Sequence, residues 1–334
     1  MRQYVKLTST SFIVLSFILL LNSCNKMDEL SGEDVPGYSP ILVSTEPTPP
    51  FSRTYIPTGM YDNFKVHAVS EQGNTQKVVM DGYEVRFVTD NWSYITESQQ
   101  LMYWDYNADR YRFLAGAPIA SVTKINATSL TLHLKNNKGG DYAMVSEPLK
   151  IERSSDDFGK IVNLRFSYAH CRVCVAFVKN TSAETQVTDI LLTPDSPITS
   201  KADITYTYDW STAQPTATSL LNDKTTSQAG FDFTNVTIPA NTTDRVLSST
   251  TYYCVPDATN TNVWTVSLND NGEPKSAQFV NEQNWESGKN YIYIFSLEKK
   301  TPKLLYVVSQ DLQYFDCNDI VPGGDFSNTT DMTE

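Results

Sequence analysis

Short strand-like runs separated by turn signals dominate this chain from residue 63 onward. In the run 63–69, the apolar residues Phe64, Val66 and Ala68 alternate with polar ones, which is the two-residue period of a strand with one buried face. The turn 269–272 contains Asn-Gly, a dipeptide favoured in two-residue β-hairpins. The same pattern predicts further strands over 78–80, 83–88, 111–114, 129–134, 164–177, 186–192, 204–208, 231–238, 245–248, 252–255, 264–268, 291–297 and 304–308. Regular strands with almost no helical period predict an all-β protein of paired β-sandwiches.

The first residues resemble a bacterial lipoprotein signal. A short basic stretch precedes an apolar run over 12–21, which has the length of a signal-peptide core and is too short to span a bilayer. The sequence LNSC at 21–24 resembles a lipobox, so we expect cleavage between Ser23 and Cys24 and acylation of Cys24. Acyl chains contribute about 0.8 kcal/mol per buried methylene, which suffices for stable anchoring when two or three are present. An ordinary cleaved signal that carries a cysteine by chance is the alternative.

The residues after Cys24 indicate a localisation signal followed by a tether. A lysine and two acidic residues within 25–29 resemble the surface-export signal of bacterial lipoproteins, although a solvated charge cluster looks the same. We therefore expect a lipid-anchored protein of the outer membrane, on the cell surface. The segment 24–53 is rich in Gly, Pro and acidic residues and is typical of a flexible tether, in which only 41–43 favours a strand.

Length and charge limit the organisation and the partners of the chain. The 334 residues exceed the usual size of one core, so two domains are expected, with a boundary near Asp157. The formal net charge is −12, and cleavage of the signal would remove two basic residues and bring it to −14. This acidic balance argues against nucleic acid or an anionic membrane surface as a partner.

Five cysteines raise the question of disulfides or metal. An envelope location permits disulfides, and the sequence leaves the disulfide status open for four residues, namely Cys171, Cys174, Cys254 and Cys317. Cys171 and Cys174 have the CxxC spacing of zinc and redox sites, but they lie inside the predicted strand 164–177. Side chains three residues apart in a strand point to opposite faces, so these two thiols can neither bind one ion nor pair with each other. We interpret both as buried small apolar residues.

The chain shows no sequence motif of an active site. Its three histidines, His67, His133 and His170, lie within predicted strands and away from any hydrolase, metalloprotease or phosphate-binding motif. Acidic residues at 156–157 and 270–273 fall in turns, where Asp is favoured by side-chain hydrogen bonds to the backbone, and calcium is the alternative there. We therefore expect no enzymatic activity, no cofactor and no metal site.

Aromatic residues at 92–94 and 101–106 offer an alternative function. Flat aromatic faces stack on sugar rings, so the chain could be a surface glycan-binding lipoprotein of a polysaccharide-uptake system. Core packing explains the same residues without any ligand, and we favour it.

Several motifs, in order along the chain, resemble those of the fimbrillin family of Bacteroidales. They are the lipobox, the tether ending at Arg53, FKVHAV at 64–69, YWDY at 103–106, YRFLAGAP at 111–118, VNLRFSYAH at 162–170 and WESGKNYIYIF at 285–295. Each motif alone is weak, and the ordered set is moderately specific.

The resemblance implies a cell-surface pilus subunit or adhesin with two tandem transthyretin-like β-sandwiches. It implies proteolytic maturation at Arg53, which would remove the lipidated segment and its first strand, and a groove filled afterwards by a strand from a neighbouring subunit. By the same resemblance, the donor strand would contain Leu304, Tyr306 and Val308 on one face. The implied partners are other fimbrial subunits, the outer membrane through the lipid anchor, and a host or bacterial surface ligand. The tail after this strand is longer than expected for a stalk subunit, which leaves an anchored or tip subunit open.

These expectations divide the chain into five segments: a signal peptide at 1–23, a lipidated tether at 24–53, an N-terminal sandwich at 54–157, a C-terminal sandwich with a donor strand at 158–315, and a polar tail at 316–334.

Overall fold

The structure is a computed structural model, and it describes residues 39–45, 62–88, 91–94, 99–140, 142–298 and 300–312. The signal sequence, most of the tether including Cys24 and Arg53, and the tail with Cys317 lie outside these residues. The described part of the chain contains strands and two short 3-10 turns, Ile119–Ser121 and Ala258–Asn260, and no α-helix. The predicted all-β class is confirmed, whereas its division into two transthyretin-like sandwiches stays a prediction.

The strands, in chain order, are β1 Val43–Thr45, β2 Asn63–Gln72, β3 Thr75–Val88, β4 Asn91–Ser93, β5 Arg110–Ala117, β6 Val122–Ile125, β7 Ser129–Lys135, β8 Asn137–Lys138, β9 Met144–Ser146, β10 Leu149–Glu152, β11 Val162–Leu164, β12 Phe166–Tyr168, β13 Cys171–Val178, β14 Thr185–Pro194, β15 Ile198–Asp209, β16 Thr216–Ser227, β17 Phe231–Phe233, β18 Val236–Ile238, β19 Val246–Leu247, β20 Tyr252–Cys254, β21 Asn262–Asp270, β22 Glu273–Asn281, β23 Lys289–Ser296 and β24 Lys303–Asp311.

A seven-stranded sheet organises the first half of the molecule. Its order is β12-β9-β5-β2-β3-β4, with β10 paired to β5. In β5, Phe113 and Ala115 face a first core that also holds Ile41 and Val43, whereas Leu114 faces a separate core against β7 and β15. Because both faces of β5 are covered, its residues are buried without alternation from Tyr111 to Ala117, as is typical of a strand buried on both sides.

Two sheets enclose a second core in the other half. One sheet has the order β24-β23-β13-β20-β8, with β19 paired to β13, and the other has the order β17-β14-β21-β22, with β18 paired to β14. Strands β14 and β21 alternate buried and partly exposed residues, because only one face of their sheet packs on this core. Asn271 and Gly272 have φ values of 52° and 83° and connect β21 to β22, as the predicted turn requires.

A long hairpin connects the two halves. Strands β15 and β16 follow β14 in the chain, but β15 pairs along β7 and completes a four-stranded sheet with the order β16-β15-β7-β6. Strands β11 and β12 lie beyond the expected boundary at Asp157, and their residues Val162, Leu164 and Phe166 pack in the first core. The expected domain boundary stays a prediction, since packing of the first half continues as far as Tyr168.

The single strand predicted over 164–177 is wrong, because the structure divides it into β11, β12 and β13. Strand β12 pairs with β9 of the first half, and β13 pairs with β20 and β23 of the second half. Ala169 and His170 lie between them, where the Ala169 N–H donates to the Ala143 carbonyl at 2.9 Å. The chain therefore changes sheets at these two residues, and no Gly, Pro or Asn marks the change in the sequence.

Candidate assembly interface

Residues 39–45, which we call the N-terminal insert, lie between two backbone edges of the first half. On one side the insert runs antiparallel to 102–104, and the Ile41 N–H donates to the Met102 carbonyl at 2.8 Å. On the other side β1 runs parallel to β11, and the Val162 N–H donates to the Leu42 carbonyl at 2.8 Å. A short segment thus satisfies backbone groups on both neighbours.

The side chains of the insert alternate between core and surface. Ile41 is 0% exposed and Val43 is 3% exposed, whereas Leu42 between them is 42% exposed. The Tyr94 hydroxyl donates to the Ile41 carbonyl at 2.7 Å and accepts from the Met102 N–H at 3.2 Å. Burial raises the pKa of Tyr94, and the hydrogen bond from Met102 opposes this rise. Tyr94 therefore stays protonated and connects the insert to the chain beside it.

The insert is joined to the rest of the first half by residues 46–61, which contain Arg53. These residues lie outside the described part of the chain, so cleavage at Arg53 stays a prediction. The same holds for processing at Ser23 and Cys24 and for acylation of Cys24. The next described strand, β2, pairs with β3 and β5 and not with β1.

Strand β24 forms the edge of the six-stranded sheet at the opposite end of the chain. It pairs antiparallel with β23 from Lys303 to Asp311, and the Leu312 N–H then donates to the Gly288 carbonyl at 2.6 Å. The Lys289 ammonium contacts the Asp311 carboxylate at 2.5 Å near the same end. The expected donor strand therefore occupies its own sheet along its whole length.

The expectation that Leu304, Tyr306 and Val308 share one face is wrong. The register with β23 shifts by one residue at Leu305, a β-bulge that reverses the alternation. Leu304 packs against the second core, whereas Tyr306 and Val308 pack on the other face of the sheet. The donor role of the strand itself stays a prediction.

Aromatic residues proposed for glycan stacking mostly belong to the first core. Trp104 is 1% exposed and packs edge-on against Tyr111 with ring centroids 4.6 Å apart. Tyr94 is 2% exposed. Of the aromatic residues in the run 103–106, only Tyr103 is largely exposed, at 46%. One exposed ring does not provide a stacking platform, so the described residues offer the glycan alternative no specific support.

The three histidines have structural partners. The His170 Nδ1 accepts from the Ala143 N–H at 3.0 Å, so its Nε2 carries the proton and donates to the Lys135 carbonyl at 3.2 Å. Burial lowers the pKa of His170 to about 4, although both backbone contacts oppose the shift. Desolvation likewise lowers the pKa of His67, despite the nearby Asp81. The described residues contain no His, Cys, Asp or Glu cluster able to hold a metal ion.

The cysteines of β13 lie on opposite faces of the strand. Cys171 faces the second core and is a free thiol, as is Cys254 opposite it in β20. Cys174 lies on the other face and is disulfide-bonded. Both cysteines are buried among apolar residues, as interpreted, and the disulfide status of Cys174, which the sequence left open, is that of a bonded cysteine. Strand alternation separated the two thiols correctly, but local sequence carries no signal of a distant disulfide partner.

Tyr94 is the functional candidate that the sequence analysis missed. Its hydroxyl connects the insert to Met102, yet the sequence places it in an aromatic group near Trp92 that also fits ordinary core packing.

No helix in the described residues has the length and apolar character of a membrane span.

Comparison with solved structures shows the class of the fold. A candidate cell adhesion protein from Bacteroides uniformis matches with a TM-score of 0.50 and 13% identity, over 84% of this chain and all of that one. A second, from Bacteroides ovatus, matches with a TM-score of 0.51 and 13% identity, over 83% of this chain and 98% of that one. The fimbrial anchor protein Mfa2 from Porphyromonas gingivalis matches over 75% of this chain and 89% of its own, at 12% identity, but its TM-score of 0.28 is too low to show a common fold. The architecture is thus that of this group of β-rich candidate adhesion proteins.

The family follows from the sequence itself. The model of the fimbrillin-like family matches residues 56–309, which is most of the chain. The chain therefore belongs to the fimbrillin-like family, and the predicted resemblance is confirmed. No curated protein matches the chain at a significant level.

Proposed function

We propose that this protein is a non-enzymatic, lipid-anchored surface subunit or adhesin of a pilus that assembles by strand exchange. Family membership supports the fimbrial and adhesive role. Acylation of Cys24 after removal of 1–23 would anchor the protein in the outer membrane, and the sequence after Cys24 favours the cell surface. Its partners would be other fimbrial subunits and a ligand on a host or bacterial surface.

The position of the N-terminal insert is the observation that carries the exchange mechanism. Ile41 and Val43 fill apolar space in the first core, and the insert pairs with backbone on both sides. Its removal would leave unpaired backbone groups beside two vacant side-chain positions, which is the arrangement that an added strand satisfies.

The binding strength of the insert is suited to replacement. Burial of a Val or Ile side chain contributes about 1.5–3 kcal/mol, so the two buried residues together contribute about 3–6 kcal/mol. Each backbone hydrogen bond adds about 1 kcal/mol net. Cleavage at Arg53 would make the segment a separate chain, which could dissociate and be replaced by a strand that makes more contacts. In this mechanism β24, with Leu304, Tyr306 and Val308, is the donor to the next subunit.

The first test measures the acceptor groove. Full-length protein is cut by an arginine-specific protease, the released segment is separated under mild denaturant, and a labelled peptide of residues 38–46 is added. We expect saturable binding, and a matched peptide with Ile41→Asp and Val43→Asp should not bind. If the cut protein binds neither peptide, or binds both equally, the insert is not exchangeable.

The second test measures assembly. The cut protein, at high concentration, should form a ladder of oligomers that persists on dilution, because displacement of a paired strand is slow. Arg53→Ala, which resists the cut, is the control and should stay monomeric. Deletion of residues 304–334 should also prevent the ladder. If either control forms as much oligomer as the cut protein, the proposed strand exchange is wrong.

A further inference from the structure

The groove that holds the N-terminal insert accepts side chains of limited size at two positions. Ile41 and Val43 face the first core and are 0% and 3% exposed. Thr45, the next residue on the same face of the strand, is half-buried. A close-packed core accepts a side chain of similar volume and is strained by a larger one. A strand that replaces the insert must therefore bring one aliphatic side chain to position 41 and another to position 43.

Strand β24 meets this requirement in one alignment only. Positions 41 and 43 are two residues apart, so each alignment brings a pair of β24 residues with that spacing to them. Leu305 and Val307 are both aliphatic, whereas every other such pair within 303–311 contains Lys, Tyr, Ser, Gln or Asp. The same alignment brings Ser309 to the position of Thr45, which exchanges one hydroxyl side chain for another.

The β-bulge in β24 hides this match while the strand lies in its own sheet. Leu305 is at the bulge and is 45% exposed, whereas Val307 packs against the second core. The bulge belongs to the register with β23, so a strand that has left β23 returns to the plain two-residue alternation. Leu305 and Val307 then share one face, and Tyr306 lies on the opposite face.

The outward side of the insert has apolar neighbours that stay exposed. The pairing of Pro40 with Tyr103 places Tyr103 diagonally across from Leu42, and the parallel register of β1 with β11, continued by one residue, places Ile161 beside Leu42. Leu42, Tyr103 and Ile161 are 42%, 46% and 53% exposed. We call Tyr103 and Ile161 the rim of the groove. Adjacent exposed apolar side chains are typical of a surface that contacts a partner.

The alignment that fits the inward positions also covers the rim. It brings Tyr306 to the position of Leu42, between the two rim residues. A Tyr ring is larger than a Leu side chain, and its hydroxyl can remain at the water surface while the ring packs. The donated strand therefore matches the insert in the core and buries more apolar surface outside it, which favours replacement of the insert.

We infer that Leu305 and Val307 of a second copy of this chain enter the positions of Ile41 and Val43, and that Tyr306 of that copy packs on the rim. The inference rests on the proposed function, in which β24 is the donor, and it defines the register between neighbouring subunits. The face of β24 that enters the core is opposite to the one that the family resemblance implied.

Grafted variants of the full chain test the fit without any cleavage. In the first variant, residues 39–45 are replaced by the sequence of 303–309, which places Leu at position 41 and Val at position 43. Two matched controls carry the sequences of 302–308 and 304–310, which place Tyr at position 43 or at position 41. We expect the first variant to unfold at the urea concentration of wild type or above it, and both controls to unfold at lower urea, because Tyr overpacks the core. A control as stable as the first variant would overturn the register.

Labelled peptides test the same register on the cut protein from which the insert has been separated. A peptide of residues 302–312 should bind. With Leu305→Asp and Val307→Asp together, binding should weaken by about a hundredfold or more, because two aliphatic side chains are lost from the core. The matched peptide with Leu304→Asp and Val308→Asp should stay within about tenfold of the unchanged one, because both changes face outward. The opposite order of the two changed peptides would overturn the inference.

A double-mutant cycle tests the contact with the rim. The peptide with Tyr306→Ser should bind cut wild type more weakly than the unchanged peptide by about threefold or more, and this difference should shrink on cut protein with Ile161→Ser. Val280→Ser is the matched protein control, since Val280 is 60% exposed and lies in the second half, and it should leave the difference unchanged. Equal differences in wild type and Ile161→Ser would mean that Tyr306 does not pack on the rim.

The same peptides separate this inference from the proposed function. If the insert peptide 38–46 binds and 302–312 does not, the inference is wrong and the exchangeable insert stands. If neither peptide binds and the cut protein forms no oligomers, strand exchange itself is wrong, and the grafted variants still decide whether the sequence of 303–309 fits the groove.

Discussion

The N-terminal insert and β24 are both strands at the ends of the chain, but they are held in different ways. The insert places Ile41 and Val43 in a core and pairs over a few residues on two sides. Strand β24 pairs on one side only, over nine residues, and its side chains are largely half-buried or exposed. The insert thus depends on side-chain burial, whereas β24 depends on a long backbone ladder.

This difference suggests separate controls for the two strands. In the proposed mechanism, one cut in the chain would release a short segment with two buried side chains, because its contacts are few once it is no longer covalently joined. A long edge ladder instead separates only when many backbone hydrogen bonds break together.

The largest effect is expected at Ile41. Ile41→Ala removes most of a fully buried side chain, so we expect the free energy of unfolding to fall by about 2–5 kcal/mol in urea denaturation. Leu42→Ala is the matched control, since Leu42 is 42% exposed, and its effect should stay within about 0.5 kcal/mol. Equal effects of the two would mean that the insert does not pack in the first core.

A pH effect is expected at His170, where the chain passes from one half to the other. The folded-state pKa of about 4 lies below the ordinary value of 6.5, so the unfolded chain takes up a proton first as the pH falls. Stability is therefore complete above pH 6.5 and is lost towards pH 4, by about 3 kcal/mol in total. His170→Gln should lack this part of the dependence. The comparison of wild type with the variant isolates it, because both share every other titrating group. Parallel stability curves between pH 6.5 and 4 would mean that His170 is not buried in the neutral form.

A smaller effect should distinguish two neighbouring residues of β24. Leu304 packs against the second core, and Leu305 lies at the bulge with 45% of its surface exposed. Leu304→Ala should lower the free energy of unfolding by about 1–2 kcal/mol, and Leu305→Ala by less than about 0.5 kcal/mol. The reverse order in chemical denaturation would show that the bulge lies elsewhere and would restore the predicted common face.

The smallest effect is expected at the end of β24. Asp311 is 63% exposed and contacts the Lys289 ammonium, so Asp311→Asn should change stability by less than about 1 kcal/mol. The hydrogen bond from Lys289 to Asp311 raises the pKa of Lys289, and this pKa should return towards its ordinary value in the variant. Titration by NMR measures the shift. A loss well above 1 kcal/mol would mean that this ion pair, rather than the ladder, holds the strand.

Local sequence patterns predicted the strands with one buried face. The alternation in 186–192 and 264–268 corresponds to β14 and β21, and the Asn-Gly turn at 271–272 follows β21. Alternation indicates which face of a strand is buried, and the Asn-Gly dipeptide indicates a tight turn.

Features that depend on distant partners could not be predicted in this way. The run 164–177 contains no Gly, Pro, Asn or Asp, so its change of sheet at Ala169 leaves no turn signal in the sequence. The bulge at Leu305 depends on the register with β23, and the pairing of β15 with β7 joins residues far apart in the chain. For the candidate interface, the sequence indicated 41–43 as a strand within the tether but could not indicate its two neighbours.

The two segments beside the insert fix the chain direction of any strand that occupies the groove. A strand that occupies it must run antiparallel to 102–104 and parallel to β11, as the insert does. A strand inserted the other way round would reverse both pairings and misplace its hydrogen-bonding groups. Every subunit added through this groove would therefore point the same way along a fibre. Such a fibre would have two chemically different ends, so growth, capping and attachment to a surface could each take place at one end alone.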